Sequence, residues 1–297
     1  MSEPQAAHVA AVASPDGPDH QDAVIEVEPV AARKRRAPRS DTRIGDEAAF
    51  VLHSYPYKET SLIVDALTRH HGRVALVARG AKRPRSALRG VLLAFQPLTI
   101  SWIQGRAKAV TGGSGSSDLC TLTRAEWLGG LRPLRGEALM SGFYLNELIQ
   151  KLLARDDPHE RLFDAYLQAL GALSEDRPAA PALRSFEAIL LREAGYGVQT
   201  AHTVDGNAID ATTLYRYLPD RGPVPIDAVA ATRGETDAVV AGKTLLDIDA
   251  DDYTDPVTST QSKRLMRYLL QHHLAGQVLH TRRMVLDLQS LEEGGAR

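Results

Sequence analysis

The segment from Gly72 to Gly90, GRVALVARGAKRPRSALRG, restricts the fold more than any other part of the chain. It begins with the alternating apolar residues of a β-strand over 73–79, and Gly80 and Pro84 then end that strand. Within eleven residues come five cations with no acid among them: Arg79, Lys82, Arg83, Arg85 and Arg89. A strand that delivers five cations to one loop predicts a surface for a polyanion. The alternative is a basic loop that is merely solvated.

Charge is distributed unevenly along the chain. The 297 residues carry a formal net charge of −2, but the net is −1 over residues 1–45, +5 over 46–126 and −6 over 127–297. In a nucleic-acid-binding protein such a local basic patch matters more than the overall balance. The single cysteine, Cys120, excludes a disulfide framework and a zinc site built on several thiolates.

The N-terminal segment and the hydropathy of the chain bear on its location. Residues 1–45 are rich in Ala, Pro, Asp and Arg, which predicts a disordered tail whose basic cluster at 33–39 either attracts phosphates or only aids solubility. No apolar run approaches the ~20 residues of a membrane span, and no signal peptide is recognisable. We therefore expect a cytoplasmic protein without a membrane partner.

Residues 46–126 show the period-two pattern of closely spaced strands. Ala48, Phe50 and Leu52 share one face of the first strand, the second covers 60–68 and the third 73–79. A helix is expected over 85–93, then a fourth strand around Trp102 and a fifth that the Gly/Ser-rich segment 111–118 interrupts. Three strands, a helix and two strands form the element order of an OB-fold, although SH3-like and other small barrels compete with it.

Residues 127–297 change to a period of three to four, which predicts an all-α helical domain. We expect helices over 136–154, 159–174 and 181–194, the last of which Gly195 ends, and further helices near 236–247, 259–275 and 281–289. Turn residues fill 198–225, with a hairpin expected around 205–207. The predicted fold class is therefore α+β, with an N-terminal OB-fold barrel followed by an all-α domain.

Three short motifs suggest catalysis or metal binding only weakly. Gly242-Lys243-Thr244 lacks the glycine that a phosphate-binding loop needs at position 237, which is Asp. His272, His273 and His280 lack the i, i+4 spacing of a helical metal site, so we expect no metal there. Three nearby carboxylates, in Asp251, Asp252 and Asp255, fit a helix-initiating turn, although metal-dependent nuclease chemistry remains an alternative.

Three segments resemble a known family. AFVLHSYPYKETSLIVDALTRHHGRVALVARGAKRPRSALRG is similar to the N-terminal signature of the bacterial recombination mediator RecO, and PALRSFEAILLREAGYG and LAGQVLHTRRMVLDL resemble its C-terminal signatures. The resemblance covers roughly residues 46–290, and the tail and the insertion at 111–118 depart from the pattern. Some members hold a four-cysteine zinc site after the glycines equivalent to Gly195 and Gly197. This chain has His202 there and no cysteine, so no zinc and no other cofactor are expected.

The resemblance implies a non-enzymatic function. Members bind single- and double-stranded DNA, anneal complementary strands, and act with RecR to load RecA onto DNA coated by single-stranded DNA-binding protein (SSB), whose acidic C-terminal tail they also bind. The five loop cations, with Arg106 and Lys108 on the neighbouring strand, would then hold phosphates without reading bases. Trp102, Tyr55 and Tyr57 are candidates for stacking on bases, although Trp102 is expected in the core.

The same resemblance places the SSB tail on the third helix of the C-terminal domain. Arg184 matches a basic residue that helps to receive the tail, and Leu183 and Phe186 lie beside it. A cation beside an apolar groove suits a peptide that ends in a hydrophobic residue and a free carboxylate. Two alternatives remain open: a nucleic-acid-processing enzyme, and a scaffold that bridges proteins without touching DNA.

Overall fold

The computed structural model describes residues 43–104, 120–175, 177–232, 238–281 and 283–284. Five strands form a closed barrel in the order β1-β2-β3-β5-β4, with β3 and β5 parallel and the other neighbours antiparallel. The strands are β1 (Arg43–Tyr57), β2 (Ser61–Thr68), β3 (Gly72–Ala78), β4 (Pro97–Ile103) and β5 (Cys120–Trp127). The N-terminal tail, the insertion at 111–118 and most of the last expected helix lie outside the described residues.

Alternate side chains of β1 pack into two separate hydrophobic cores. Ala49 and Val51 point into the barrel, where they pack in a cluster with Leu98, Ile100 and Trp102. Phe50 and Leu52 point outward and join the large core of the helical region, as expected from their shared face. Successive residues of a strand face opposite sides, so one strand can close the barrel and attach the helices to it.

The expected helix over 85–93 is absent, and successive turns take its place. Backbone bonds link Arg83 to Gly80 and Ser86 to Arg83, and the Ser86 hydroxyl accepts a hydrogen bond from the amide of Leu88 at 3.3 Å. Leu92 is buried on the barrel and Leu88 packs against the same core. The leucine spacing that predicted a helix therefore reflects anchoring of a turn-rich loop, since side-chain bonds of Ser compete with helical ones.

Three long helices follow the barrel close to their expected bounds. They are α1 (Gly136–Leu152), α2 (Glu160–Ser174) and α3 (Ala179–Glu193), and the shorter α4 (Ala228–Ala231) and α5 (Gly242–Asp249) precede α6 (Pro256–His273). Gly195 ends the α3 segment with a φ of +81°, which glycine adopts without a Cβ penalty. No helix in the described ranges combines the length and the hydropathy needed to cross a lipid bilayer.

The expectation of an all-α C-terminal domain is wrong. A three-stranded sheet in the order β7-β6-β8 lies within it, formed by β6 (Leu214–Leu218), β7 (Gly222–Ile226) and β8 (Val239–Ala241). Tyr215 and Tyr217 of β6 are buried while Arg216 between them is half-buried, so the alternation is real but only five residues long. The β6–β7 hairpin turns at 219–221. Around 205–207 the chain forms only a minimal hairpin, with an antiparallel bridge between His202 and Ala208 and a backbone hydrogen bond from Thr203 to Asn207.

Barrel and helices belong to one compact unit and are joined by buried polar contacts. The side-chain amide of Asn146 on α1 donates to the Leu52 carbonyl of β1 at 2.8 Å, and the Tyr166 hydroxyl of α2 donates to the Asn146 side-chain oxygen. Arg73 of β3 donates to the carbonyls of Ile149 and Gln150 at the end of α1. A cation at a helix C-terminus satisfies carbonyls that lack intrahelical partners.

Gly72 is expected to tolerate no side chain. Its φ is +66°, and a Cβ added there would lie 2.0 Å from the Asp157 carbonyl oxygen. Gly72→Ala should therefore lower the free energy of unfolding by at least about 2 kcal/mol. Gly90→Ala is the matched control, because nothing lies within 4 Å of its added Cβ. Urea unfolding of the two variants tests this, and equal midpoints would contradict the tight junction.

Candidate nucleic-acid interface

The basic loop, defined as residues 79–96, leaves the end of β3 and carries its cations outward. Ala81 is buried in the barrel core, and the amide of Lys82 donates to the Thr60 carbonyl at 2.9 Å. These contacts fix the loop against the β1–β2 turn. All five predicted cations are exposed, namely Arg79, Lys82, Arg83, Arg85 and Arg89.

The five loop cations differ from other cations of the barrel in their ion pairing. Among the residues that the structure describes, no ion pair involves any of them, whereas cations elsewhere, such as Arg69 and Arg124, pair with carboxylates. Like charges within one short loop repel each other, and a polyanion relieves that repulsion. The loop can therefore bind phosphates through charge, without hydrogen bonds that distinguish one base from another.

One further cation and two aromatic side chains extend this surface. Lys58, in the β1–β2 turn, is exposed, and its Nζ lies 5.3 Å from the centre of the Tyr57 ring. Tyr55 is 41% exposed, and its ring centre lies 5.9 Å from that of His53. Sequence reasoning missed Lys58 because it stands beside Glu59. The contact that brings its turn to the basic loop is the hydrogen bond from the Lys82 amide to the Thr60 carbonyl.

Trp102 is confirmed as a core residue. It is 1% exposed inside the barrel, and its ring meets that of His71 edge-on at 5.2 Å. It cannot stack on a base without opening the barrel. Tyr55 and Tyr57 remain the candidates for stacking.

The connection between β4 and β5 begins and ends close to the basic loop. Ile103 pairs with Thr121, and Cys120 pairs with Leu76 near the end of β3. The connection carries two of the predicted DNA-binding residues, Arg106 and Lys108, which lie outside the described residues. Their contribution to the surface stays a prediction.

Arg184 on α3 lies in a buried polar cluster. Its side chain is 11% exposed and its Nη2 lies 2.6 Å from Glu187 Oε1, which also accepts a 2.6 Å hydrogen bond from the Tyr144 hydroxyl. Glu187 is 1% exposed, and its Oε2 has no hydrogen-bond partner in the described part of the chain. Burial raises the pKa of the Glu187 carboxyl, against the opposing effect of the Arg184 charge.

The other two residues predicted beside Arg184 differ in exposure. Leu183 is half-buried at the surface of the helix, whereas Phe186 is fully buried and its ring centre lies 6.1 Å from that of Tyr166. Phe186 therefore supports the surface from beneath and is not accessible to a peptide. The apolar spacing of this helix predicts a buried stripe of Leu183, Phe186 and Leu190, and the burial of Phe186 and Leu190 confirms it for those two residues.

The rejected motifs have structural roles. Lys243 forms ion pairs with Asp247 and Asp255, which leaves it no free charge for a phosphate. Asp255 caps α6 by accepting bonds from two backbone amides, and Asp252 accepts two bonds from Thr254. Capping carboxylates satisfy unpaired helix amides, which accounts for the position of Asp255 at the start of α6.

Comparison with known proteins agrees with this architecture. Residues 45–112 match the family described as "Recombination protein O N terminal", and residues 134–283 match "Recombination protein O C terminal". The chain belongs to the RecO family. Two RecO relatives, both named DNA repair protein RecO, illustrate the similarity. That of Ralstonia nicotianae is 50% identical over 255 residues, which cover 86% of this chain and 89% of the relative.

The second relative, from Burkholderia pseudomallei, is 51% identical over 264 residues, which cover 89% of this chain and 91% of the relative. RecO similarity thus spans both the barrel and the helical region. The domain boundary at 126/127 stays a prediction; in the structure β5 ends at Trp127 and α1 begins at Gly136.

Glu187 should make the stability of the protein depend on pH. Because burial raises its folded-state pKa, its stabilising contribution is present below its ordinary value of 4.5 and is lost as the pH rises through the folded-state pKa. The glutamine side chain of the Glu187→Gln variant does not titrate in this pH range. The free energy of unfolding of the parent protein should therefore fall relative to that of E187Q as the pH rises from about 4.5 to 8.

Urea unfolding across this pH range measures the difference. Glu59→Gln, which changes an exposed carboxylate in the β1–β2 turn, is the matched control and should run parallel to the parent. Parallel curves for E187Q as well would mean that the carboxyl does not titrate abnormally.

Proposed function

We propose that this chain is a DNA-binding recombination mediator in DNA repair, and that its N-terminal barrel is an OB-fold. The observation that supports this proposal most directly is the basic loop, whose five exposed cations have no acidic partner in the described part of the chain. The strand order of the barrel supports the OB assignment, because OB-folds are five-stranded barrels that bind oligonucleotides across one face and its loops. Membership of a family whose relatives are named DNA repair proteins supports the biological setting.

The proposed action requires no bond-breaking chemistry. The loop cations and Lys58 hold the phosphates of single- or double-stranded DNA, and unpaired bases stack on Tyr55 and Tyr57. Two complementary strands held on one cationic surface repel each other less, so they anneal faster. Annealing by this route needs no nucleotide and no metal.

The proposed partners follow from the family and from the helical region. In bacterial cytoplasm, on nucleoid DNA, the protein would act with RecR to load RecA onto DNA coated by SSB. Arg184 would receive the acidic C-terminal tail of SSB, with Leu183 at the edge of the contact. The structure adds a constraint: Arg184 is already paired with Glu187, so a peptide carboxylate has to share the guanidinium with it.

Charge reversal of the basic loop tests the DNA surface. Replacing Arg79, Lys82, Arg83 and Arg85 with Glu should weaken binding to single-stranded DNA more than tenfold at about 0.1 M salt. It should also reduce the slope of log K against log salt by roughly 3, because about four phosphate contacts are lost. Fluorescence anisotropy over a salt series measures both quantities.

The matched control reverses four exposed cations outside the loop: Arg132, Arg135, Arg161 and Arg267. It makes the same change in net charge, so it should lose only the long-range component of the attraction and keep most of the salt slope. Equal losses of DNA affinity and of salt slope in both quadruple variants would mean that DNA binding depends on the net charge of the protein and not on the loop.

The tail site needs a variant that leaves no buried charge unpaired. Removing Arg184 alone would strand Glu187 at a cost of about 3–5 kcal/mol, so the double variant R184Q/E187Q is the better probe. It should bind a synthetic SSB-tail peptide at least tenfold more weakly than E187Q, which keeps the cation. Equal affinities of the two variants for the peptide, measured by titration calorimetry, would mean that Arg184 does not bind the tail.

An assay of annealing between SSB-coated complementary strands tests the DNA surface and the tail site together. Annealing should proceed without nucleotide, fall as salt rises, and be lost when the SSB tail is deleted. Annealing that is unchanged by deletion of the SSB tail would support the DNA surface and contradict the tail contact. Binding of the tail in the absence of DNA binding would favour the scaffold function.

A further inference from the structure

The tip of the β6–β7 hairpin and the last turn of α6 bring three potential metal ligands together. One ring nitrogen each of His272 and His273 and one carboxylate oxygen of Asp220 all lie within 4.8 Å of one another. Within the described ranges, no other group of three or more histidine, cysteine or acidic residues has such an arrangement. For these histidines the expectation of no metal rested on their spacing, and the third donor comes from 52 residues earlier in the chain than His272.

We propose that Asp220, His272 and His273 form a binding site for one divalent transition-metal ion of the zinc, cobalt and nickel class. Two imidazoles and a carboxylate are the donors these ions accept, whereas magnesium and calcium prefer oxygen alone. The site is independent of the basic loop and of Arg184, and it would clamp the hairpin to α6.

The distances in the cluster suit such an ion. His272 Nε2 lies 3.2 Å from Asp220 Oδ2. In a tetrahedral zinc site with bonds of about 2.0–2.1 Å, neighbouring ligand atoms are separated by about 3.3 Å. This pair is therefore already at the spacing of two tetrahedral ligands. The third donor lies within 4.8 Å of both, so the pair must close on it by at most about 1.5 Å, which rotation of the exposed Asp220 and His272 side chains can supply.

An ion pair between His272 and Asp220 accounts for only part of the arrangement. His273 Nε2 is covered from solvent and has no hydrogen-bond partner in the described part of the chain. A covered ring nitrogen without a partner costs free energy unless something binds it or the ring turns. A metal ion within reach of both histidines would give this side chain a partner.

The surrounding structure holds one ligand and leaves another adjustable. The His273 ring stacks on Tyr196 with centres 4.0 Å apart and planes 20° apart, which fixes the orientation of that imidazole. Tyr196 is itself held at the end of α3, where its amide donates to the Leu191 carbonyl at 3.0 Å. Asp220, in contrast, has a side chain 72% exposed at the hairpin tip, so it can close on an ion without disturbing the core.

Binding of cobalt and zinc to the full-length, chelator-treated protein tests the site. Cobalt should give the visible absorption of a protein-bound ion with nitrogen and oxygen ligands, saturating at one equivalent, and zinc should displace it. Asp220→Asn and His273→Gln should each weaken zinc affinity at least tenfold in titration calorimetry. Zinc should also raise the thermal midpoint of the parent protein and not that of D220N.

His202→Gln is the matched control, because it removes an exposed imidazole at the neighbouring 202–208 bridge. It should bind zinc like the parent. The absence of a saturable site, equal affinity in the parent and D220N, or an equal loss in H202Q would each overturn the proposal. Circular dichroism of the metal-free variants checks that they fold, which the exposure of Asp220 and His202 leads us to expect for two of them.

Discussion

The structure depends on the way Arg73 joins the barrel to the helices. This side chain leaves β3, caps the carbonyl end of α1, and lies 3.6 Å from Asp65, which Arg155 approaches from the other side at 3.5 Å. Burial raises the pKa of Asp65, and both arginines oppose that shift. Removing Asp65 would leave two partly buried arginines without an opposing charge, at a cost of about 3–5 kcal/mol. The helical region is thus attached to the barrel by a charge cluster as well as by apolar packing.

The same strand serves the proposed DNA surface at its other end. Gly72 and Arg73 begin β3 against the helical region, and Ala78 ends it where the basic loop starts. Loop cations and helix contacts are therefore separated by only one seven-residue strand. The conformation of the loop is fixed by this strand and by the buried side chains of Ala81 and Leu92, since the loop, which the structure describes throughout, contains no helix.

Sequence patterns predicted those features that depend on local periodicity. The alternation around Phe50 and the apolar faces of α1 to α3 were sufficient, because each buries one side against a large core. Periodicity failed at 85–93, where leucines anchor turns, and at 214–218, where five residues of alternation were hidden among turn residues. Sequence neighbours also could not reveal Glu187 as the partner of Arg184, nor the approach of Asp220 to His272, since those depend on tertiary packing.

The β2–β3 ladder has a mechanical consequence. Its pairing runs without a bulge from Thr68 opposite Gly72 to Leu62 opposite Ala78. A force on the basic loop that is directed along β3 would pull this strand past β2. That direction loads all the ladder hydrogen bonds together, in shear, instead of opening them one at a time. A seven-residue strand with Arg73 anchored in the helices can thus act as a tether that keeps the barrel closed when the basic loop is pulled.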